Sequence, residues 1–205
     1  MHMPFISIEG IDGSGKSEQV KRLVDHLRAL GLSVLQTKEP DGGHLGKEVR
    51  AILTHADRNL ASAEQLLLVS AARYDHVKNV IRPALENGQW VISDRFVDST
   101  YAFQVAVSDT DLHQLFRSVT DVVVGTTLPD LTFILDLPLK IAGARRDQRH
   151  DDISDPAEAT RDFAAIRNGL LEVAIQNPER CHIINANQQP GEVARDIWRI
   201  VERLL

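Results

Sequence analysis

Residues Gly10-Ile11-Asp12-Gly13-Ser14-Gly15-Lys16-Ser17 follow the pattern G-x-x-x-x-G-K-[ST]. Each residue type has a physical reason at its place. Glycines let backbone N–H groups come within reach of phosphate oxygens, the lysine neutralises those oxygens, and the serine hydroxyl suits Mg²⁺. A helix opening at the lysine adds its unpaired N–H groups and its dipole to the same anion site. Average residue frequencies allow such a match by chance in about one chain of this length in a hundred. Here an apolar strand precedes it and an amphipathic helix follows, so all eight residues are expected to hold the phosphates of a nucleotide such as ATP. A second group stands at the end of WVISD, residues 90–94. An apolar strand closing on Asp94 offers the carboxylate with which a phosphate-loop protein holds the metal or its waters, so Ser17 and Asp94 are the candidate Mg²⁺ ligands. Arg95 follows at once, and a guanidinium fork suits a second phosphate.

These groups need a scaffold that brings them to one end. The runs FISIE (5–9), SVLQT (33–37), WVISD (90–94), LTFILD (131–136) and CHIIN (181–185) read as strands. Most are apolar on consecutive positions, as strands covered on both faces are. Between them lie segments of helical period. Residues 16–30 set Val20, Leu23, Val24, Leu27 and Leu30 on one stripe, with Gly31 as C-cap. Further helices are expected near 45–54, 63–86, 99–107, 111–123, 139–149, 158–176 and 191–204. Strands separated by helices pair in parallel through right-handed crossovers, which gives an α/β, three-layer α/β/α fold around a five-stranded parallel sheet. Ligands in such folds bind beyond the carboxyl ends of the strands, where Gly10 and Asp94 both fall. No repeat or linker divides the chain, so 1–205 is expected to form one domain.

Composition narrows the partners. With 43% hydrophobic and 25% charged residues the chain is ordinary for a soluble globular protein. A formal net charge of -6 leaves no excess of cations for nucleic acid or an anionic membrane, although a small anionic substrate needs only a few local arginines. Cys181 is the single cysteine, which rules out an intrachain disulfide, and its apolar run CHII predicts a buried, inert thiol. No segment has the length and apolarity of a membrane span, and MHMPFISIEG does not read as a secretion signal, so a cytoplasmic protein is expected.

With those residues in hand, the chain resembles the thymidylate kinase family of phosphate-loop nucleoside monophosphate kinases, nearly end to end. FISIEGIDGSGKS resembles the family's opening F-x-x-x-E-G-x-D-G-x-G-K-[ST], and TKEPDGGHLGKEVR its R-E-P-G-G-T segment. AARYDHVKNVIRPALENGQWVISDR resembles the nucleoside-site helix with the D-R strand end, FVDSTYAFQ the helix that follows, and LPDLTFILDLP the P-D-L strand. The resemblance implies phosphoryl transfer from ATP to dTMP with Mg²⁺ and a homodimer built through helix faces. It further implies that Arg95 holds the acceptor phosphate, with Arg50 and the Glu39-Pro40 turn nearby, and that Arg73 faces the base. Val69, Thr100 and Gln104 would surround base and sugar, with Ser99 and Asp94 close to the phosphates. The segment ARRDQRHDD, within a lid of about 143–156, brings Arg145, Arg146 and Arg149 as candidates for the transferring group. Lys16, Asp94, Arg95, Arg145 and Arg149 are thus the expected catalytic set. A solvated helix with its own i,i+4 pairs is the alternative for the lid.

The chain departs from the family pattern in several places. Glu18 replaces a threonine or serine and would repel phosphate unless turned outward or paired with Lys21 or Arg22. Val69 stands where a phenylalanine often stacks on thymine, a contact worth about 1–3 kcal/mol. Phe103 stands for a tyrosine, DDISD alters the lid, and Leu170 replaces the tyrosine usual after Arg167. These changes fall on base recognition and the lid, and so keep two other readings open: a kinase for another nucleoside monophosphate, or a nucleotide-binding protein without turnover. A metal site at His150, Asp151 and Asp152 is rejected, because three adjacent residues rarely converge on one ion.

Overall fold

The computed structural model describes residues 2–55, 59–148 and 161–205. Five strands form one all-parallel sheet: β1 Phe5–Glu9, β2 Val34–Lys38, β3 Trp90–Asp94, β4 Leu131–Asp136 and β5 Cys181–Asn185, in the order β2-β3-β1-β4-β5. β1 is buried along its whole length, and β3 and β4 up to their last residue, as expected of apolar runs covered from both sides. Four polar residues are buried inside the sheet, Ser7, Glu9, Ser93 and Thr132, and the hydroxyls of Ser7 and Thr132 satisfy each other at 2.8 Å.

The helices are α1 Lys16–Ala29, α2 Gly46–Leu53, α3 Ser62–His76, α4 Arg82–Glu86, α5 Val97–Thr100, α6 His113–Val123, α7 Leu139–Asp147, α8 Phe163–Gln176 and α9 Pro190–Val201. α1 lays Val20, Leu23, Val24 and Leu27 of the predicted stripe on the sheet and also packs on α9, whereas Leu30, the fifth of the stripe, falls at the helix C-cap and is exposed. α3 and α4 form one continuous rod, as the 63–86 pattern predicts, joined by a π-helical turn over Val77–Ile81. Arg82 N–H donates to Val77 O, five residues back; Pro83, next in the chain, has no N–H to keep an α-helical ladder. A second π-turn, Tyr101–Val105, continues α5 and puts Phe103 and Gln104 on the same side as Ser99 and Thr100. α8 starts at Phe163, later than the pattern alone suggests. Asp162 caps it by accepting from Ala164 and Ala165 N–H, and an Asx cap outranks apolar period in setting a helix start.

The sheet's register positions the chemistry. β1 pairs with β3 so that Ile8 stands beside Asp94. Gly10 and Arg95 therefore leave neighbouring strands at the same end, where the connections of β1 and β4 also diverge. This is the switch-point crevice of an open α/β sheet.

Candidate active site

The glycine loop wraps tightly against α7. Gly13 has φ 89°, and a Cβ on it would stand 2.5 Å from the Ala142 carbonyl oxygen, so no side chain fits there. Gly15 precedes α1 with no side-chain cap, which leaves the N–H groups of the first turn to face the loop. Lys16 turns inward: Nζ donates to Ile11 O at 3.0 Å and lies 3.6 Å from Asp12 Oδ1. Burial, reinforced by Arg95 and opposed by Asp12, Asp94 and Glu9, pushes the Lys16 ammonium down to about 8. Ser14 Oγ is buried and makes no hydrogen bond to any described residue, a donor left over in the loop. Glu18 is held by Arg22 Nε at 2.7 Å on the exposed face of α1, which removes the repulsion expected of it.

At the tip of β3, Ser17 Oγ donates to Asp94 Oδ2 at 2.6 Å. A hydroxyl and a carboxylate side by side are hard oxygen ligands, and Mg²⁺ needs only one or two from the protein beside water and phosphate oxygens. The donor set fits that ion. A shell made mostly of protein ligands is not on offer, because no group of three or more His, Cys, Asp or Glu gathers among the described residues.

Arg95 is the one non-glycine residue with positive φ among those described, at 71°. Such a backbone costs about 1–3 kcal/mol and survives only where the surroundings over-determine it. Here Arg95 N–H donates to Ile8 O, Ser93 Oγ donates to Arg95 O at 2.7 Å, and the next N–H, of Phe96, donates to Glu9 Oε1 at 2.6 Å. The strained turn throws the guanidinium over the loop. Nη1 reaches Gly10 O at 3.1 Å and Ser99 Oγ at 3.0 Å, while Nη2 reaches Asp12 Oδ1 at 2.6 Å. The Phe103 ring lies 4.8 Å beneath its carbon. Glu9, fully buried under this turn, has its carboxyl raised to about 8, first by burial and then by Asp98. Burial acts to raise Asp12 as well, but Arg95, Lys16 and Arg161 outweigh it and hold that carboxyl below the usual range.

Beyond Arg95 opens a cleft of about 280 Å³. Glu39, Pro40, Arg50 and Thr54 line it together with Val69, Arg73, Thr100 and Gln104. The eight substrate-site residues expected here besides Arg95 are Glu39, Pro40, Arg50, Val69, Arg73, Ser99, Thr100 and Gln104, and all face this one cleft. Arg73 is 4% exposed; its Nε and Nη2 donate to Glu39 Oε2 at 2.7 and 2.6 Å, and Nη2 also to Thr100 Oγ1 at 2.9 Å. Arg50 Nε is held by Asp41 at 2.7 Å. Val69 is half-buried on the wall, and Gln104 Nε2 points to Gln65 Oε1 at 3.4 Å.

The two described arginines of the expected lid separate. Arg146 Nη1 donates to Asp12 O at 3.0 Å and its guanidinium stacks on Phe163 at 4.0 Å. Arg145 turns instead to Ala186 O, at 3.5 Å, past the end of β5. Arg149, like His150 and the DDISD stretch, lies outside the described residues. Arg161 takes a place that spacing did not suggest: Nη1 lies 3.3 Å from Asp12 Oδ2 and the guanidinium sits 5.6 Å from the Phe103 ring. No motif surrounds it, so only the fold reveals it. Leu170, where a tyrosine is usual, is buried core, and Cys181 is buried with its thiol pushed up to about 12 by burial and Asp98.

A family model described as thymidylate kinase matches residues 8–197. A thymidylate kinase of Dinoroseobacter shibae is 41% identical over 200 residues, covering 94% of this chain and 93% of its own. One of Jannaschia sp. is 41% identical over 208 residues, covering 98% and 97%. Among solved structures, the thymidylate kinase of Ehrlichia chaffeensis superposes with a TM-score of 0.76 at 31% identity, over 98% of this chain and 99% of that one.

Proposed function

The chain belongs to the thymidylate kinase family, and from that premise we propose that it transfers the γ-phosphoryl group of ATP to the 5′-phosphate of dTMP, giving dTDP and ADP. The observation that carries this reading is the Ile8–Asp94 register, which sets a phosphate loop and an arginine-bearing cleft on adjacent strand ends. The loop of Gly10–Ser17 takes the donor phosphates through its backbone N–H groups and Lys16. Arg95 takes the acceptor phosphate, exchanging Asp12 for it.

The reaction breaks the bond between the γ-phosphorus and its bridging oxygen on ADP and forms one to an acceptor phosphate oxygen. That oxygen is already anionic, so no base is required and catalysis is alignment plus charge neutralisation. Arg146 and Arg161, both drawn to Asp12, stand where charge develops. Mg²⁺ held by Ser17 and Asp94 would neutralise the donor's β and γ oxygens. Arg73 keeps Nη1 uncommitted to any described group, a donor directed at a carbonyl of the base; a base with an amino group in that place would meet donor against donor. Val69 leaves the base without a stacking ring at that wall.

A homodimer goes with this reading, supported by Leu67 and Tyr74 on α3 and Val122 on α6, which expose 49%, 45% and 74% of their surface on two helices that pack together. No helix among the described residues is long and apolar enough to cross a membrane; a cytoplasmic place follows from the use of ATP. The deciding experiment is ADP release with Mg²⁺ across dTMP, dUMP, dCMP, dGMP and dAMP. Strong preference for dTMP is expected. Preference for another monophosphate, the alternative that Val69 and Phe103 motivate, would replace the acceptor; ATP binding with no turnover on any would remove the reaction.

A further inference from the structure

A chain of polar contacts runs into the cleft from a residue that does not line it. His76, on α3, is fully buried, with Nε2 2.7 Å from Thr37 Oγ1 on β2 and Nδ1 3.1 Å from Glu39 Oε1. Glu39 gives its other oxygen to Arg73, taking both Nε–H and Nη2–H. Arg73 then spends Nη2 again on Phe96 O at 3.1 Å and Thr100 Oγ1 at 2.9 Å. A carboxylate has no proton to give, so His76 Nδ1 carries one and donates it; Nε2 is paired with the Thr37 hydroxyl, which serves as either donor or acceptor. Five side chains from β2, the 39–45 turn, α3 and α5 thus hold one another in a single order. The approach is close: a Cβ on Gly42 would lie 2.2 Å from His76 Nε2.

We propose that His76 is a positioning residue for base recognition: its Nδ1–H fixes the Glu39 carboxylate, which commits Arg73 Nε and Nη2 and leaves Nη1 as the one donor offered to the acceptor base. The proposal rests on the cleft being the dTMP site. Without the imidazole, Oε1 of Glu39 loses its partner in a buried place, the carboxylate rotates to recover one, and the fork of Arg73 turns with it. Thr37 holds the other ring nitrogen in place. Asn in place of His76 keeps an N–H near the Nδ1 position; Leu keeps the volume and removes the donor.

The test uses the whole protein with His76→Leu, His76→Asn and Thr37→Val, reading calorimetric binding of dTMP, dCMP and ATP, together with imidazole ¹⁵N shifts of the parent protein. Loss of one hydrogen bond to a charged group predicts about tenfold weaker dTMP binding in His76→Leu. The preference for dTMP over dCMP should narrow and ATP binding should stay unchanged. His76→Asn should recover most of the affinity, Thr37→Val should fall between, and the ¹⁵N shifts should place a proton on Nδ1. Packing alone would not distinguish the two bases or reward Asn over Leu. Equal dTMP affinity in all variants, Asn no better than Leu, or an Nδ1 without its proton overturns the role of His76. A parent protein that binds ATP but no dTMP overturns the acceptor site itself, and the proposal with it. Should His76→Leu fail to fold, His76→Asn and Thr37→Val decide between the same outcomes.

Discussion

Asp12 Oδ1 lies 2.6 Å from Arg95 Nη2, so the arginine expected to grip the acceptor phosphate is already holding a carboxylate of the phosphate loop. Donor loop and acceptor grip are thereby joined by one ion pair, partly shielded from water, and a phosphate entering the cleft must compete with Asp12 for the same fork.

Replacing Arg95 separates the two sites. Arg95→Ala should weaken dTMP binding by about ten- to a hundredfold, the worth of charge-assisted hydrogen bonds, with a smaller effect on ATP. Arg95→Lys should restore little, because a single ammonium cannot span Gly10 O, Ser99 Oγ and Asp12 at once. Separate titrations with dTMP and ATP measure both; equal losses for the two nucleotides would contradict the division.

Lys16, lowered to about 8, gives ATP binding a pH dependence of defined sign. Above that pH the free protein holds Lys16 largely neutral, whereas a bound triphosphate requires it charged. ATP binding therefore takes up a proton, and its affinity falls as pH rises past about 8, approaching tenfold per pH unit. Calorimetry in two buffers of different ionisation enthalpy at pH 8.5 reads the uptake. Lys16→Ala should abolish both the uptake and phosphoryl transfer.

Glu9 acts on stability in the opposite sense to an ordinary carboxylate. Its folded-state value is raised to about 8 from 4.5, so the native protein binds the proton more tightly than the unfolded chain does. Between these values the unfolded state carries fewer protons, and Glu9 makes the fold less stable as pH climbs from about 4.5 to 8. Glu9→Gln should flatten that part of the thermal-stability profile; an unchanged slope would place the effect elsewhere.

The arginines of α7 and the start of α8 should differ in kind. Arg146→Ala and Arg161→Ala, each of which takes away a guanidinium in contact with Asp12, are expected to cut kcat by about 10²–10³, in the range of a lost transition-state arginine. Arg145→Ala, which faces Ala186 instead, should raise the KM for ATP and leave kcat nearer its starting level. Steady-state kinetics with each substrate varied in turn tells the classes apart.

Much of this is legible in the amino-acid sequence. Runs of five or six residues mark every strand, with β2 displaced by one residue because its ladder with β3 runs from Val34 opposite Trp90 to Lys38 opposite Asp94. The glycine loop, Asp94 and Arg95 could be read because their chemistry is compressed into adjacent positions. What stayed hidden was joined across the chain. Strand order is a matter of register; the positive φ of Arg95 depends on Ile8, Ser93 and Glu9; Arg161 meets Asp12 across 149 residues of sequence separation. His76 meets Thr37 39 positions away, and neither stands in a motif that names the other.

β1 and β3 are neighbours in the sheet, and neighbouring strands lie about 4.8 Å apart in every such sheet. With Gly10 rooted in one and Arg95 in the other, the gap between giver and receiver is ruled by main-chain spacing. Reshaping the cleft for a different base can therefore change who is admitted while leaving the length of the leap untouched.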